Sequence, residues 1–276
     1  MKRKFSFYVL PVMASCVLSS TLYAQEESNE NDQLVDHLFG GVSIDYSRNA
    51  FKDSSYKANR SAGMNLRLGY KNDNNLRMML SGGASYRLDG EEGLFTNDYW
   101  FSVGKSDIFQ PTSWLTIGAD GRIALPISEF SRKTELNTAI RGAVSFNFNL
   151  ENSLKGLRFT FQPRLKANFH EYKTAGNVNL TQYSASTLYA LNYGYEKWSF
   201  GITAINTHNW TYKGTYKTPN LTHIEHIGYQ ISDNWNVGIG HTNSTNFFDP
   251  DRGPSPESQI FDVKSSTFYG TLIYSF

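Results

Sequence analysis

One cysteine in 276 residues leaves no partner for an intramolecular disulfide, and that residue, Cys16, lies in an N-terminal stretch that reads as removable. No sign of charge dominates: 26 basic side chains stand against 25 acidic ones, which excludes a strongly basic nucleic-acid binder and gives no hint of a bulk polyanion partner. Beyond residue 24 nothing approaches the roughly 18 consecutive apolar residues a membrane helix needs, so helices are not expected to carry this chain across a membrane. Gly-rich phosphate loops, zinc-ligand spacings and dinucleotide fingerprints are also missing, and neither a cofactor nor a metal is expected. What the chain does have is aromatic residues, 15% of the total with 17 Tyr and 19 Phe, at a mean hydropathy of only −0.45. A chain so aromatic and still polar on average suggests alternation, each apolar residue having a polar neighbour.

The N-terminus reads as a targeting segment. Met1-Lys2-Arg3-Lys4 is a positive n-region, Phe5 to Leu22 is apolar apart from the break at Pro11, and Leu22-Tyr23-Ala24 precedes a cleavage point before Gln25. Met13-Ala14-Ser15-Cys16 offers a rival, lipoprotein-type processing site, against which the apolar Val17-Leu18 counts. Residues 1–24 are therefore read as a signal peptide, 25–37 as an acidic polar lead-in, and 38–276 as one folded unit.

From residue 38 the apolar period is two, the period of a strand. Met64, Leu66, Leu68 and Tyr70 alternate with Gly63, Asn65, Arg67 and Gly69; Leu115, Ile117, Ala119, Ile123 and Leu125 alternate with Thr116, Gly118, Asp120 and Arg122. Leu157, Phe159, Phe161, Leu165 and Phe169 stand against Arg158, Thr160, Gln162, Arg164 and Lys166. Soluble sandwiches alternate too, so three further features decide. The polar face is almost purely Gly, Ser, Thr, Asn and Arg, which suits a wet lumen better than a solvent surface rich in Lys and Glu. Many runs reach ten or more residues, the length of a tilted membrane strand.

Connections also alternate in length. Lys71–Asn75, Ser106–Ser113, Glu151–Gly156, Glu196-Lys197 and Ser232–Asn234 are tight, whereas Arg48–Ser61, Asp89–Asn97, Pro126–Glu135, Glu171–Thr181, Asn209–Asn220 and Asn243–Ser265 are longer. Short periplasmic turns and longer extracellular loops would produce this asymmetry. The expected fold is all-β: a transmembrane, antiparallel, up-and-down β-barrel of about twelve strands with both termini periplasmic. Tyr70, Trp198, Tyr195, Trp235 and Tyr274 fall at one set of strand ends and Tyr46, Tyr86, Tyr183 and Trp210 at the other, as two interfacial girdles.

The C-terminal stretch Phe268-Tyr269-Gly270-Thr271-Leu272-Ile273-Tyr274-Ser275-Phe276 resembles the assembly signal of Gram-negative outer-membrane β-barrel proteins, porin-like ones included. The resemblance is one of class and covers the mature chain as an architecture. It implies an integral outer-membrane location, lipid and lipopolysaccharide as surroundings, and delivery by the barrel-assembly machinery through Phe276.

If apolar residues face lipid, the opposite parity faces the lumen. That places Arg67, Arg77, Arg87, Arg122, Arg141, Arg158, Arg164 and Lys166 inside, against Asp45 and Asp120, all on the first seven strands. Strands eight to twelve offer small neutral groups such as Ser184, Ser186, Thr203, Gly238 and Thr271. Arginine's fixed fork suits carboxylate or phosphate, and a narrow ring of one sign selects the other. The primary expectation is a channel for small solutes that prefers anions, similar in layout to small-barrel channels for acidic oligosaccharides. An alternative is a plug, in which these arginines pair with loop acids such as Glu91, Glu92 or Glu129.

One region breaks the apolar-out rule. The turn Ser232–Asn234 sets Ile231 against Trp235, and continuing that register puts Glu225 opposite His241 and His223 opposite Asn243 on the lipid side. Asn206 and His208 join them from the strand before. At roughly 2.6 Å of height per residue the pair sits in the outer half of the membrane, where polar groups are costly. A carboxylate paired with an imidazole is the base-and-orienter half of a hydrolase triad, so a lipid hydrolase of phospholipase or lipid A deacylase type is a second reading. Its nucleophile is undetermined: Ser244 should point inward, and Ser266 points outward at an unfixed height. The same patch, Asn206, His208, His223, Glu225 and His241, could equally join subunits of a homo-oligomer. A non-conducting structural or adhesive barrel is the third reading.

Overall fold

The computed structural model describes residues 37–51, 58–89, 92–246, 248–249, 253–254 and 266–276. The signal peptide 1–24 and nearly all of the lead-in lie outside the described residues, as do Glu91 and most of the last loop. Twelve long strands follow one another: β1 (Leu38–Asn49), β2 (Arg60–Lys71), β3 (Leu76–Arg87), β4 (Tyr99–Thr112), β5 (Leu115–Leu125), β6 (Leu136–Asn149), β7 (Leu157–His170), β8 (Thr181–Tyr195), β9 (Trp198–Thr211), β10 (Tyr216–Gln230), β11 (Trp235–Asn246) and β12 (Thr267–Ser275). Each pairs antiparallel with the next, and β1 pairs with β12, so the sheet closes on itself. Closure satisfies the backbone polar groups of every wall strand and leaves no open edge, the condition for crossing lipid as a sheet.

The period-two pattern decides which way each side chain points. Leu66, Leu68, Ile140, Leu165, Ile202 and Ile239 stand on the outer face, Leu165 with 70% of its surface exposed. Among the buried residues, Ala124, Ala143, Thr203 and Ser47 are small and of the opposite parity. Large apolar surface outside and small or polar groups inside is the reverse of a soluble core and suits hydrocarbon around the wall. The only helix among the described residues, Glu129–Lys133, is one turn long, so any crossing is made by strands.

The connections depart from the sequence expectation in four places. The Ser106–Ser113 segment continues β4 to Thr112 through register slips at Phe109 and Thr112, leaving Ser113-Trp114 as the turn. Pro111 has no N–H to give the ladder, which fits an irregular strand end there. In the Asp89–Asn97 connection, Gly93–Thr96 rejoins the sheet beside the far end of β3. The Pro126–Glu135 connection carries the short helix, capped by Ser128 and tied down by Asp98, which accepts from Ser128 N (2.9 Å) and Ser131 Oγ (2.5 Å). Between β9 and β10 the loop shrinks to residues 212–215, closed by Thr211 N to Thr215 O at 3.0 Å, because both strands run past the expected boundary.

At the short-turn end the seam between first and last strands is locked by Phe276. Gly40 and Phe276 exchange both backbone hydrogen bonds, at 2.9 and 3.1 Å, and the Phe276 ring lies over Gly40 so closely that a Cβ there would meet it at 2.5 Å. Any side chain there would require the ring to shift. Trp198 with Tyr229, and Trp235 with Tyr274, pack as tilted pairs in the same belt at centroid distances of 4.8 and 5.0 Å.

Candidate functional sites in the lumen and on the outer wall

Strand pairing assembles one lumenal row from residues far apart in the chain. Ser102, Arg122, Arg141, Lys166, Ser184 and Asn209 are successive cross-strand partners from β4 to β9. Three cations on adjacent strands therefore stand directly opposite one another, an arrangement that repels. Asp120, one rung away, is the acid bonded to the two arginines, and the charge of Asp98 acts on Lys166. Asp120 accepts from Arg122 Nε at 3.1 Å, from an Arg141 guanidinium N–H at 3.2 Å, and from Gln162 Nε2 at 3.1 Å. Gln162 in turn accepts from Arg164 Nε at 2.8 Å, which gathers Asp120, Arg122, Arg141 and Arg164 into one network. Lys166 extends it, its ammonium 5.6 Å from the centre of the Trp100 ring.

The remaining lumenal candidates stand apart from this network. Arg67 donates to Ser275 Oγ at 3.2 Å, and Arg77 lies near the short-turn end between Lys71 and Gly104. Arg158 sits at that rim, 60% exposed, 3.8 Å from Glu151. Of the loop acids considered as a plug, Glu129 pairs with Lys133 at 2.7 Å on its own helix.

Sequence reasoning missed Lys217. The period puts it in a loop, yet a bulge after Thr207 brings Lys217 opposite the lumenal Asn209, where its ammonium donates to Thr181 Oγ1 at 2.9 Å. His226 and Tyr269 also point inward, each lying over a glycine, Gly201 and Gly240 respectively. The wall of β8–β12 is thus less uniformly small and neutral than its pattern suggested. A bulge has no composition signature strong enough to reveal Lys217 beforehand.

On the outer wall the hairpin register is as the turn implied: Glu225 is opposite His241, and His223 opposite Asn243. His241 Nδ1 lies 3.0 Å from Glu225 Oε2, and its Nε2 lies 2.6 Å from Ser266 Oγ. A carboxylate only accepts, so Nδ1 carries the proton and Nε2 is left to accept from the serine hydroxyl. The His223 ring lies 5.3 Å from that of His241, tilted by 52°, with its Nε2 4.0 Å from Glu225 Oε1. Ser244 points into the lumen, bonded to Thr222 Oγ1 at 2.8 Å, and is no part of this cluster. The wider polar patch divides: Asn206 bonds His208 at 3.1 Å, and His208 packs on Trp210 and Tyr216, a separate group nearer the long-loop end.

No protein-family model matches the chain, and no curated protein matches it. Solved structures do. An outer membrane channel from Pseudomonas putida F1 superposes with a TM-score of 0.58 at 12% identity, covering 91% of this chain and 100% of its own. The NanC porin superposes at 0.56 and 10% identity, covering 85% and 98%. The chain has the fold of an outer-membrane β-barrel of the porin kind. A KdgM porin in complex with disordered oligogalacturonate aligns over 85% of the chain at 13% identity, with a TM-score of 0.47. At these identities the likeness is one of backbone, and the outer-membrane barrel's lumenal and outer side chains are its own.

Proposed function

We propose that the barrel is a narrow channel for small solutes that prefers anions. The observation that carries this reading is the row Arg122–Arg141–Lys166, three like charges on neighbouring strands, with Asp120 beside the arginines and the charge of Asp98 acting on Lys166. Like charges placed directly opposite cost stability, and an entering anion offsets that cost. Arg141 and Arg122 keep 17% and 21% of their side chains exposed. The solute class this chemistry fits is a small carboxylate or acidic sugar, held by forked N–H donors. In this reading residues 1–24 are removed on export, both termini are periplasmic, and Phe276 serves delivery by the assembly machinery.

The test is planar-bilayer recording of the refolded protein in a salt gradient. Discrete openings with a reversal potential on the anion side are expected, and the double variant Arg141→Gln/Lys166→Gln should move that potential toward cations. A correctly folded barrel that stays silent, or a double variant with unchanged selectivity, sinks the proposal.

A further inference from the structure

The outer wall holds a set of groups for which the channel has no use. Glu225, His241 and Phe268 are successive cross-strand partners on β10, β11 and β12, with Ile202 before them and Arg48 of β1 after. Ser266, two residues before Phe268 and of the same parity, reaches His241 across the strand boundary. A carboxylate, two imidazoles and a hydroxyl on the lipid side of a barrel are costly to keep there. Beside them runs a groove of about 710 Å³ whose walls include Phe200, Ile202, Ile227, Ile239 and Phe268, with Glu225, His241 and Arg48 also lining it. An apolar trough of that volume accommodates the alkyl chain of a lipid, and the guanidinium at its lining suits a phosphate on the same molecule.

We propose that Ser266, His241 and Glu225 form a lipid-facing hydrolase site that cleaves acyl esters of phosphate-bearing lipids, whose acyl chain lies in this groove. The Ser266 hydroxyl gives its proton to His241 Nε2 while Oγ bonds to the ester carbonyl carbon. The tetrahedral intermediate collapses, the carbonyl carbon–alcohol oxygen bond breaks, and His241 returns the proton to the departing alcohol. Water then attacks the acyl-serine, again losing its proton to Nε2, and the fatty acid leaves as Ser266 recovers its hydrogen. Glu225 is a positioning residue: it holds the Nδ1–H and stabilises the imidazolium. Ser266 has no exposed surface in this state, whereas His241 is 15% and Glu225 32% exposed. The ester must therefore displace neighbours of the hydroxyl before it reacts, and slow labelling in lipid-free micelles that accelerates in lipid is the expected signature.

The experiment uses the refolded full barrel in mixed micelles with phosphatidylethanolamine in one arm and lipid A in the other. Fatty-acid release is followed by mass spectrometry and serine labelling by a fluorophosphonate probe. Release from at least one lipid is expected, and the active arm identifies the lipid class. Ser266→Ala should abolish both release and labelling, and His241→Ala should lower turnover at least a thousandfold. Glu225→Gln should lower kcat far more than it raises KM, while Ser244→Ala keeps wild-type turnover. The heat-modifiable band of Ser266→Ala on gels should match wild type, which shows that the variant has folded whether or not the barrel conducts. Absence of release from both lipids by folded wild type, or release that survives Ser266→Ala, overturns the proposal. So does zinc binding by wild type that is lost in Glu225→Gln without any Ser266 labelling. His223, Glu225 and His241 bring ligand atoms within 4.8 Å of one another, and that result would make the cluster a metal site instead.

Discussion

Replacing Asp120 by asparagine removes the carboxylate at the lumenal cationic row and leaves the shape unchanged. In the native barrel this side chain accepts from Arg122 at 3.1 Å and Arg141 at 3.2 Å. A unit pair at that separation is worth about 1.3 kcal/mol in bulk water and about 5 kcal/mol at an effective dielectric of 20. The side chains involved are 17–21% exposed, so neither limit applies. Hydrogen bonds to charged groups contribute about 1.5–3 kcal/mol each, and the asparagine oxygen retains part of that as a neutral acceptor. A net loss of about 2–3 kcal/mol in stability follows, measurable by urea unfolding in bilayers. The effect on permeation runs the other way. One negative charge fewer, about 6 Å from a passing ion in water, changes its energy by about 0.7 kcal/mol before screening, with opposite signs for anion and cation. Screening reduces this, and the anion-to-cation permeability ratio should rise about three- to tenfold. Asp120→Asn is thus expected to give a weaker but more anion-selective barrel, read from the reversal potential. A shift toward cations, or an unchanged potential, would refute the assignment of this row to the conducting path.

Two further outcomes follow from the walls and the rim. Gly40→Val must push the Phe276 ring off the first strand, since even a Cβ would meet it at 2.5 Å, and folding into lipid vesicles should slow severalfold, seen as delayed appearance of the heat-modifiable band on gels; folding at the wild-type rate would contradict the seam. Outside the barrel wall, hydrogen bonds and charge from Arg60 hold the Asp89 carboxyl below the usual carboxylate range, through contacts of 2.6 and 2.8 Å. A depressed carboxyl stabilises above its unfolded value of about 3.9 and loses that contribution as pH falls through the folded value. The protection factor of the Leu88 amide, which bonds Arg60 O at 2.9 Å, should therefore fall below about pH 4 in wild type and show no such step in Asp89→Asn.

How much of this was legible beforehand depended on how local the deciding interaction is. Parity along a strand is fixed by the pleat, so the inward placement of Arg122, Arg141, Arg164 and Lys166 and the outward placement of Leu165 needed no partner strand. A tight turn transmits register to the next strand, which is why Ser232–Asn234 sufficed to set Glu225 against His241, sixteen positions apart. Long connections carry no such constraint. Ser266 is separated from His241 by the longest loop, and its height became definite only when β12 was held between β11 and β1 by barrel closure.

The same reason explains the other residues that only the tertiary structure decided. Lys217 turns inward because a bulge shifts β10 against β9, which the period of that segment does not reveal. Asp120 was visible as a lumenal acid, but its joint contact with Arg122, Arg141 and Gln162 needs three strands side by side. Gly40 and Phe276 lie at opposite ends of the folded chain, and nothing in either one's neighbours announces that one must be small for the other to seat. The amino-acid sequence by itself determined a strand-built wall with an apolar outside, a basic inside and one polar hairpin facing lipid, since alternation and tight turns act over a few residues. Closure of twelve strands decided which of those side chains meet, because contacts across long loops and across the seam exist only once every register has been set.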